Sequence, residues 1–249
     1  MDKDLFEFTL RMGDNALILA QRNAAWCGHA PALEEDIAMA NVGLDLLGQA
    51  KLWLTLAGEI EGRGRDADAL AYFRDARAFR NCLLVEQPGD YAAALMRQFL
   101  FDAWHLPMLS ELTTSSEPRV AEIAGKAVKE AEYHLDRSHD LIVRLGDGHA
   151  ESHARMQAAL DDLWRFVGEL TTPDVVDEAL RARAAAPDLA SVKAEFDRVT
   201  DATLREATLA APRDATMRKG GKTGYHSEEF GYALAEMQFL QRAYPGAAW

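Results

Sequence analysis

Helical periodicity runs through nearly the whole chain and leaves no room for a sheet. Ala, Leu, Glu and Arg, all good helix formers, recur throughout, and no run alternates apolar and polar residues with β-branched enrichment. The pattern predicts helices over about Leu5–Ala25, Leu33–Glu59, Leu70–Asn81 and Tyr91–Ser110. Further helices are expected from a Ser116 N-cap to Leu145, over Glu151–Leu170, from Thr172-Pro173, over Leu189–Thr208, and behind a Ser227 N-cap from Glu228 to Tyr244. Breaks fall at Gly28 and Pro31, Gly62-Arg63-Gly64, Gln87-Pro88-Gly89-Asp90 and Gly146-Asp147-Gly148. Long helices on short loops mean an antiparallel bundle, and no repeat or linker divides it. The expectation is a single all-α domain over residues 1–249.

The second helix is apolar on almost every side between Ile37 and Gly48, which predicts a buried helix. Its polar exceptions, Asn41, Asp45 and Gln49, repeat at i, i+4, i+8. Asp14 joins the stripe of Leu10 and Leu17, and Asp102 joins Leu95, Phe99, Leu106 and Leu109. His134 and Ser138 share a face with Ala131 and Leu141, with Glu130 at its edge. Buried carboxylates need a partner, a hydrogen bond or a metal. A di-metal carboxylate site takes a carboxylate from each of two helices and Glu-x-x-His from two more, because i and i+3 project from one face. The chain contains no Glu-x-x-His; Asp-x-x-His occurs at Asp102–His105 and, on a charged face, at Asp136–His139. A buried structural polar network fits these residues better than an intact metal site.

With 27 Lys and Arg against 40 Asp and Glu, the net charge is −13, which argues against nucleic acid and against an anionic membrane surface. Two cysteines make no disulfide framework, and Cys27 reads as a small buried hydrophobe. No secretory leader is visible, and no apolar run reaches a membrane-spanning length, so a cytoplasmic location is expected. Gly221-Lys222-Thr223 lacks the earlier glycine and the strand of a phosphate-binding loop.

The stretches Gly13-Asp14-Asn15, Trp26-Cys27-Gly28-His29-Ala30-Pro31, Asn41 through Ala50, Leu84-Val85-Glu86-Gln87-Pro88, Asp102-Ala103-Trp104-His105 and Lys129 through His134 resemble the C subunits of bacterial phenylacetyl-CoA epoxidases. So does the tail, from Gly220-Gly221-Lys222-Thr223-Gly224 to Leu240-Gln241-Arg242, Pro245-Gly246 and Trp249. The resemblance implies a ferritin-like fold and a non-catalytic structural subunit in aerobic phenylacetate catabolism. It also implies a related catalytic A subunit that holds di-iron and the CoA substrate, with further subunits completing the complex. Laid on this chain, the catalytic relatives' ligands fall at Asp14, at Asp45 with Gly48 in place of His, at Asp102, and at Ala131 in place of Glu with His134. The resemblance therefore implies a vestigial site, with no metal or cofactor bound by this chain.

The alternative is an active ferritin-like oxygenase using Asp14, Asp45, Asp102, His105, Glu130 and His134; a stand-alone helical binding protein is a third reading. Arg218, Lys219 and Lys222 are candidates for contact with a partner or with the phosphates of a CoA. Trp53, Trp104, Tyr225, Phe230, Tyr232 and Trp249, with the Gly220–Tyr225 loop and the last helix, are candidates for the partner interface.

Overall fold

A computed structural model describes residues 1–247, and among them the chain is all α-helix and 3-10 turn, with no strand. The fold is all-α and ferritin-like. In chain order the helices are α1 (Lys3–Ala24), α2 (Leu33–Glu61), α3 (Ala67–Tyr72), α4 (Tyr91–Leu112), α5 (Pro118–Gly146), α6 (Ala150–Leu163), α7 (Gly168–Thr171), α8 (Val175–Arg181), α9 (Leu189–Glu206) and α10 (Glu228–Ala243). They group into two compact units, residues 1–87 with the chain from Gly220 onward, and Pro88–Lys219.

The first unit is built on the α1–α2 pair. Gly13 lies beside Trp53 and Leu54, while Ala20 and Asn23 lie beside Gly43, so the two helices run antiparallel. Contact is close: a Cβ on Gly13 would come within 2.8 Å of Leu54. Asp2 caps α1 by accepting from the Leu5 N–H, and Gly62, in the left-handed region at φ 67°, ends α2. The expected burial of α2 is half right. Met39, Val42, Leu46, Gln49, Ala50 and Trp53 turn inward, but Leu33, Ile37, Leu44 and Leu47 face solvent.

The helix expected over Leu70–Asn81 stops at Tyr72 and resumes as a 3-10 turn at Ala76–Ala78. Arg74 is the cause. Its side chain folds back to donate to the carbonyls of Leu70 and Ala78, taking over acceptors a continuing helix would use. The C-terminal segment closes this unit. Gly221 passes so near the chain that a Cβ would sit 2.1 Å from the Asn81 carbonyl oxygen. Glu86, fully buried, accepts from the Asn81 side chain (2.9 Å), the Ser227 N–H (2.8 Å) and the Ser227 hydroxyl (2.7 Å), and pairs with His226 Nδ1 at 2.5 Å. Ser227 caps α10 as expected, and Gln238 from that helix donates to the carbonyls of Ala71 and Arg74.

The second unit is built on α4 and α5, flanked by α6 and α9. α4 is buried around most of its circumference, behind an Asp90 cap. α5 has one inward stripe, Val120, Ile123, Ala124, Ala127, Ala131, His134 and Ser138. Two caps differ from expectation. Ser116 does not cap α5, because its N–H and hydroxyl are drawn to the carbonyls of Ala184 and Arg183, both at 2.8 Å; Glu117 precedes Pro118 instead. α8 starts at Val175 rather than at Pro173, since Asp174 and Asp177 form a reciprocal capping box.

Candidate functional site: two buried polar clusters

In the first unit Asp14 is fully buried at mid-helix, as the stripe of α1 predicts. Its partner is Arg74. The guanidinium grips both carboxylate oxygens, with Nη1 donating to Oδ2 at 3.0 Å and Nη2 to Oδ1, and the Arg80 N–H adds a third donor at 2.8 Å. Arg74 also lies over the Phe79 ring at 4.2 Å. A fork-to-fork pair of this kind saturates the carboxylate and supplies the positive charge a metal would otherwise bring. Asn15, a residue adjacent to Asp14, is committed elsewhere and accepts from the Cys82 N–H at 2.7 Å.

The α2 positions depart from the buried polar stripe. Asn41 is exposed, Asp45 is half-buried and Gln49 is buried, so the i, i+4, i+8 row winds from solvent to core rather than along one face. Gly48 is exposed, and a Cβ added there would meet nothing within 4 Å.

The second unit brings Asp102, His105, Ala131, His134 and Ser138 into its interior, all buried. Gln98 donates to Asp102 Oδ1 at 2.7 Å and Ser138 to Oδ2 at 2.8 Å. Burial pushes the Asp102 carboxyl up to about 8, against these hydrogen bonds and the charge of Arg137, so near neutral pH it is largely protonated. His105 is stacked on Trp104 (ring centroids 5.9 Å apart) and packed on Phe101 (4.8 Å). Burial lowers it to about 3, with the imidazole of His134 acting in the same direction, so it is neutral. Glu130 stands half-buried at the edge of α5.

In the first cluster every Asp14 oxygen is satisfied, whereas in the second the Asp102 oxygens are hydrogen-bonded and the buried Nδ1 atom of His105 has no hydrogen-bond partner among the described residues. Gly48 and Ala131 bring no donor atom, and Asp14 is held by an arginine. This is a poor donor set for two irons. Among the described residues, no three His, Cys, Asp or Glu side chains come together as a group able to hold a metal ion. Sequence reading missed Arg74, Gln98 and Glu86. Gln98 stood in plain view four residues before Asp102, but Arg74 meets Asp14 across 60 residues, a distance that local pattern does not bridge.

Residues 1–249 match, from end to end, the model of a family described as phenylacetic acid catabolic protein. The chain belongs to that family. It is 48% identical over 246 residues to the C subunit of the 1,2-phenylacetyl-CoA epoxidase of Escherichia coli (strain K12), and the match spans 98% of this chain and 99% of that one. The phenylacetic acid catabolic family is the one whose motifs the sequence resembles.

The remaining candidates divide. Trp53, Trp104 and Phe230 are core residues of this member of the family and are not available as contacts, whereas Tyr225 and Tyr232 are exposed; Trp249 lies outside the described residues. Arg218 and Lys219 are exposed, and Gly221–Thr223 forms a short 3-10 turn rather than a phosphate cradle. Cys27 is exposed, not buried, because the turn after α1 carries it outward. Among the described residues no helix is long and apolar enough to cross a membrane.

Proposed function

We propose that this chain is the non-catalytic C subunit of a cytoplasmic phenylacetyl-CoA epoxidase, supporting a related di-iron A subunit and binding no metal itself. Membership of the family and the near full-length similarity to the C subunit of the Escherichia coli enzyme support the complex to which it is assigned. The structural role rests on one observation: the fully buried carboxylate of Asp14, where the resemblance puts a metal ligand, is gripped by the Arg74 guanidinium. An oxygenase built on Asp14, Asp45, Asp102, His105, Glu130 and His134 would need that arginine displaced. The chain would act instead by holding the catalytic partner in its working shape, with no proton or electron transfer of its own. The test loads the purified chain with ferrous iron and measures bound iron. Well under one iron per chain is expected, together with epoxidase activity that appears when the A subunit and this chain are combined with the further subunits of the complex. Stoichiometric, tightly held iron with a bridged di-iron spectrum would overturn the reading.

A further inference from the structure

α2 carries an apolar seam on its solvent side. Leu33, Ile37, Ala40, Leu44 and Leu47 follow one another at spacings of four, three, four and three residues, the repeat by which one helix packs knobs-into-holes against another. Leu33, Ile37, Leu44 and Leu47 are 72, 54, 65 and 44% exposed, although Leu side chains on a solvated helix face contribute nothing there. At 1.5 Å per residue the seam is about 21 Å long, four helical turns. Alongside it run two adjoining cavities of about 330 and 320 Å³, which share Leu17, Leu44, Leu47 and Tyr72. Gly48 lines the second of them. Glycine in mid-helix lowers helix stability relative to alanine, and among the described residues nothing requires it, since a Cβ at Gly48 would meet no atom within 4 Å. A glycine there leaves room for the close approach of another backbone.

We propose that this seam receives one amphipathic helix of a partner subunit, a proposal that rests on the chain being a subunit of the epoxidase. The helix would carry Leu-sized residues at the same four-three spacing and Lys or Arg on its flanks. Charge selects this occupant. Glu34 and Asp45 border the seam on α2, and Asp68 lines the second cavity with Lys51. Two copies of this chain, each of net charge −13, would set these acids against one another, whereas a basic-flanked helix pairs with them.

The test compares the intact chain with its complex with the homologous subunit. The double variant Leu44→Glu, Leu47→Glu changes side chains already in solvent, so helical content and Tm hold while affinity falls about 100-fold or more. Gly48→Ala raises the Tm of the free chain, and Gly48→Leu, also folded, weakens the complex. Cys27 lines the first cavity and is exposed while Cys82 is buried, so a maleimide labels Cys27 in the free chain and is excluded in the complex. Undiminished affinity of the double variant, in a complex that the wild-type chain forms, overturns the seam and leaves the subunit reading standing. A wild-type homodimer that the double variant splits makes a second copy the occupant and overturns the proposal. Failure of the wild-type chain to bind any homologous subunit removes the subunit reading, and the seam's partner with it.

Discussion

A carboxylate sealed in the middle of α1 needs a counter-charge, and Arg74 provides it through a bidentate pair with both groups out of water. Breaking such a pair leaves one charge buried alone. Arg74→Ala is therefore expected to cost about 3–5 kcal/mol, whereas Asp14→Leu with Arg74→Met, which removes both charges and keeps the volume, recovers most of that loss. Urea unfolding of the three chains checks this, and equal stability of the single and double variants would refute it. Asp102 and His105 solve the same problem differently, by staying neutral. The Asp102 carboxyl ionises near 3.8 unfolded and near 8 in the fold. Between these pH values the folded chain holds the extra proton, so stability falls as pH rises, with a slope of up to about 1.4 kcal/mol per unit. His105 acts on the acid side: its value drops from 6.5 to about 3, so its contribution is complete above 6.5 and is lost as pH falls toward 3. Asp102→Asn, uncharged at every pH, should abolish this slope and exceed wild type by about 4–6 kcal/mol at pH 9, with little difference at pH 4. Stability curves of the two proteins that run parallel from pH 4 to 9 would mean that Asp102 is ionised in the fold. The inward placement of Asp14, Asp102 and Ser138 was legible from apolar spacing; the Arg74 partner of Asp14 was not, because a stripe names a face and not what meets it.

At the scale of elements, α1, α4 and α5 are close to what their periodicity predicts, since each has an inward stripe that decides its orientation. α2 misleads for a physical reason. Apolar residues on all sides read as complete burial, but here they make two faces, one used inside the chain and one outside it. α10 and the segment before it, read as interface candidates, also close the first unit: Phe230, Ala233, Leu234 and Gln238 are buried, while Tyr225, Tyr232, Phe239 and Leu240 stay exposed. Phe230 packs edge-on against Phe79 with ring centroids 5.5 Å apart, and Gln238 satisfies two carbonyls of the Arg74 segment. Deleting residues 220–249 should thus unfold the first unit rather than trim a docking loop. It strips Glu86 of His226 and Ser227, a loss of about 3–5 kcal/mol for an abandoned buried charge. Circular dichroism and limited proteolysis check this: cleavage should spread through residues 1–87 while Pro88–Lys219 resists. A truncated chain with an unchanged melting curve would return the tail to the surface.

The all-α class was legible in the sequence, and the contacts group the chain into two compact units. Partition depends on which distant segments meet, and here the deciding contacts join Glu86 to Ser227 and Arg74 to Gln238, far apart in sequence and carried by loops and short turns. The seating of Gly221 against the Asn81 carbonyl has a consequence for synthesis. Chains emerge from the ribosome N-terminus first, and compact units fold as they become complete. The second unit is continuous and is whole once Lys219 has emerged. The first unit is begun earliest and finished last: α1 and α2 must wait, with Glu86 and Asn81 still wet, until the final helix is released. During that interval the protein's oldest residues are its least protected, and a translational pause or a premature stop late in the message would expose the beginning of the chain, not its end.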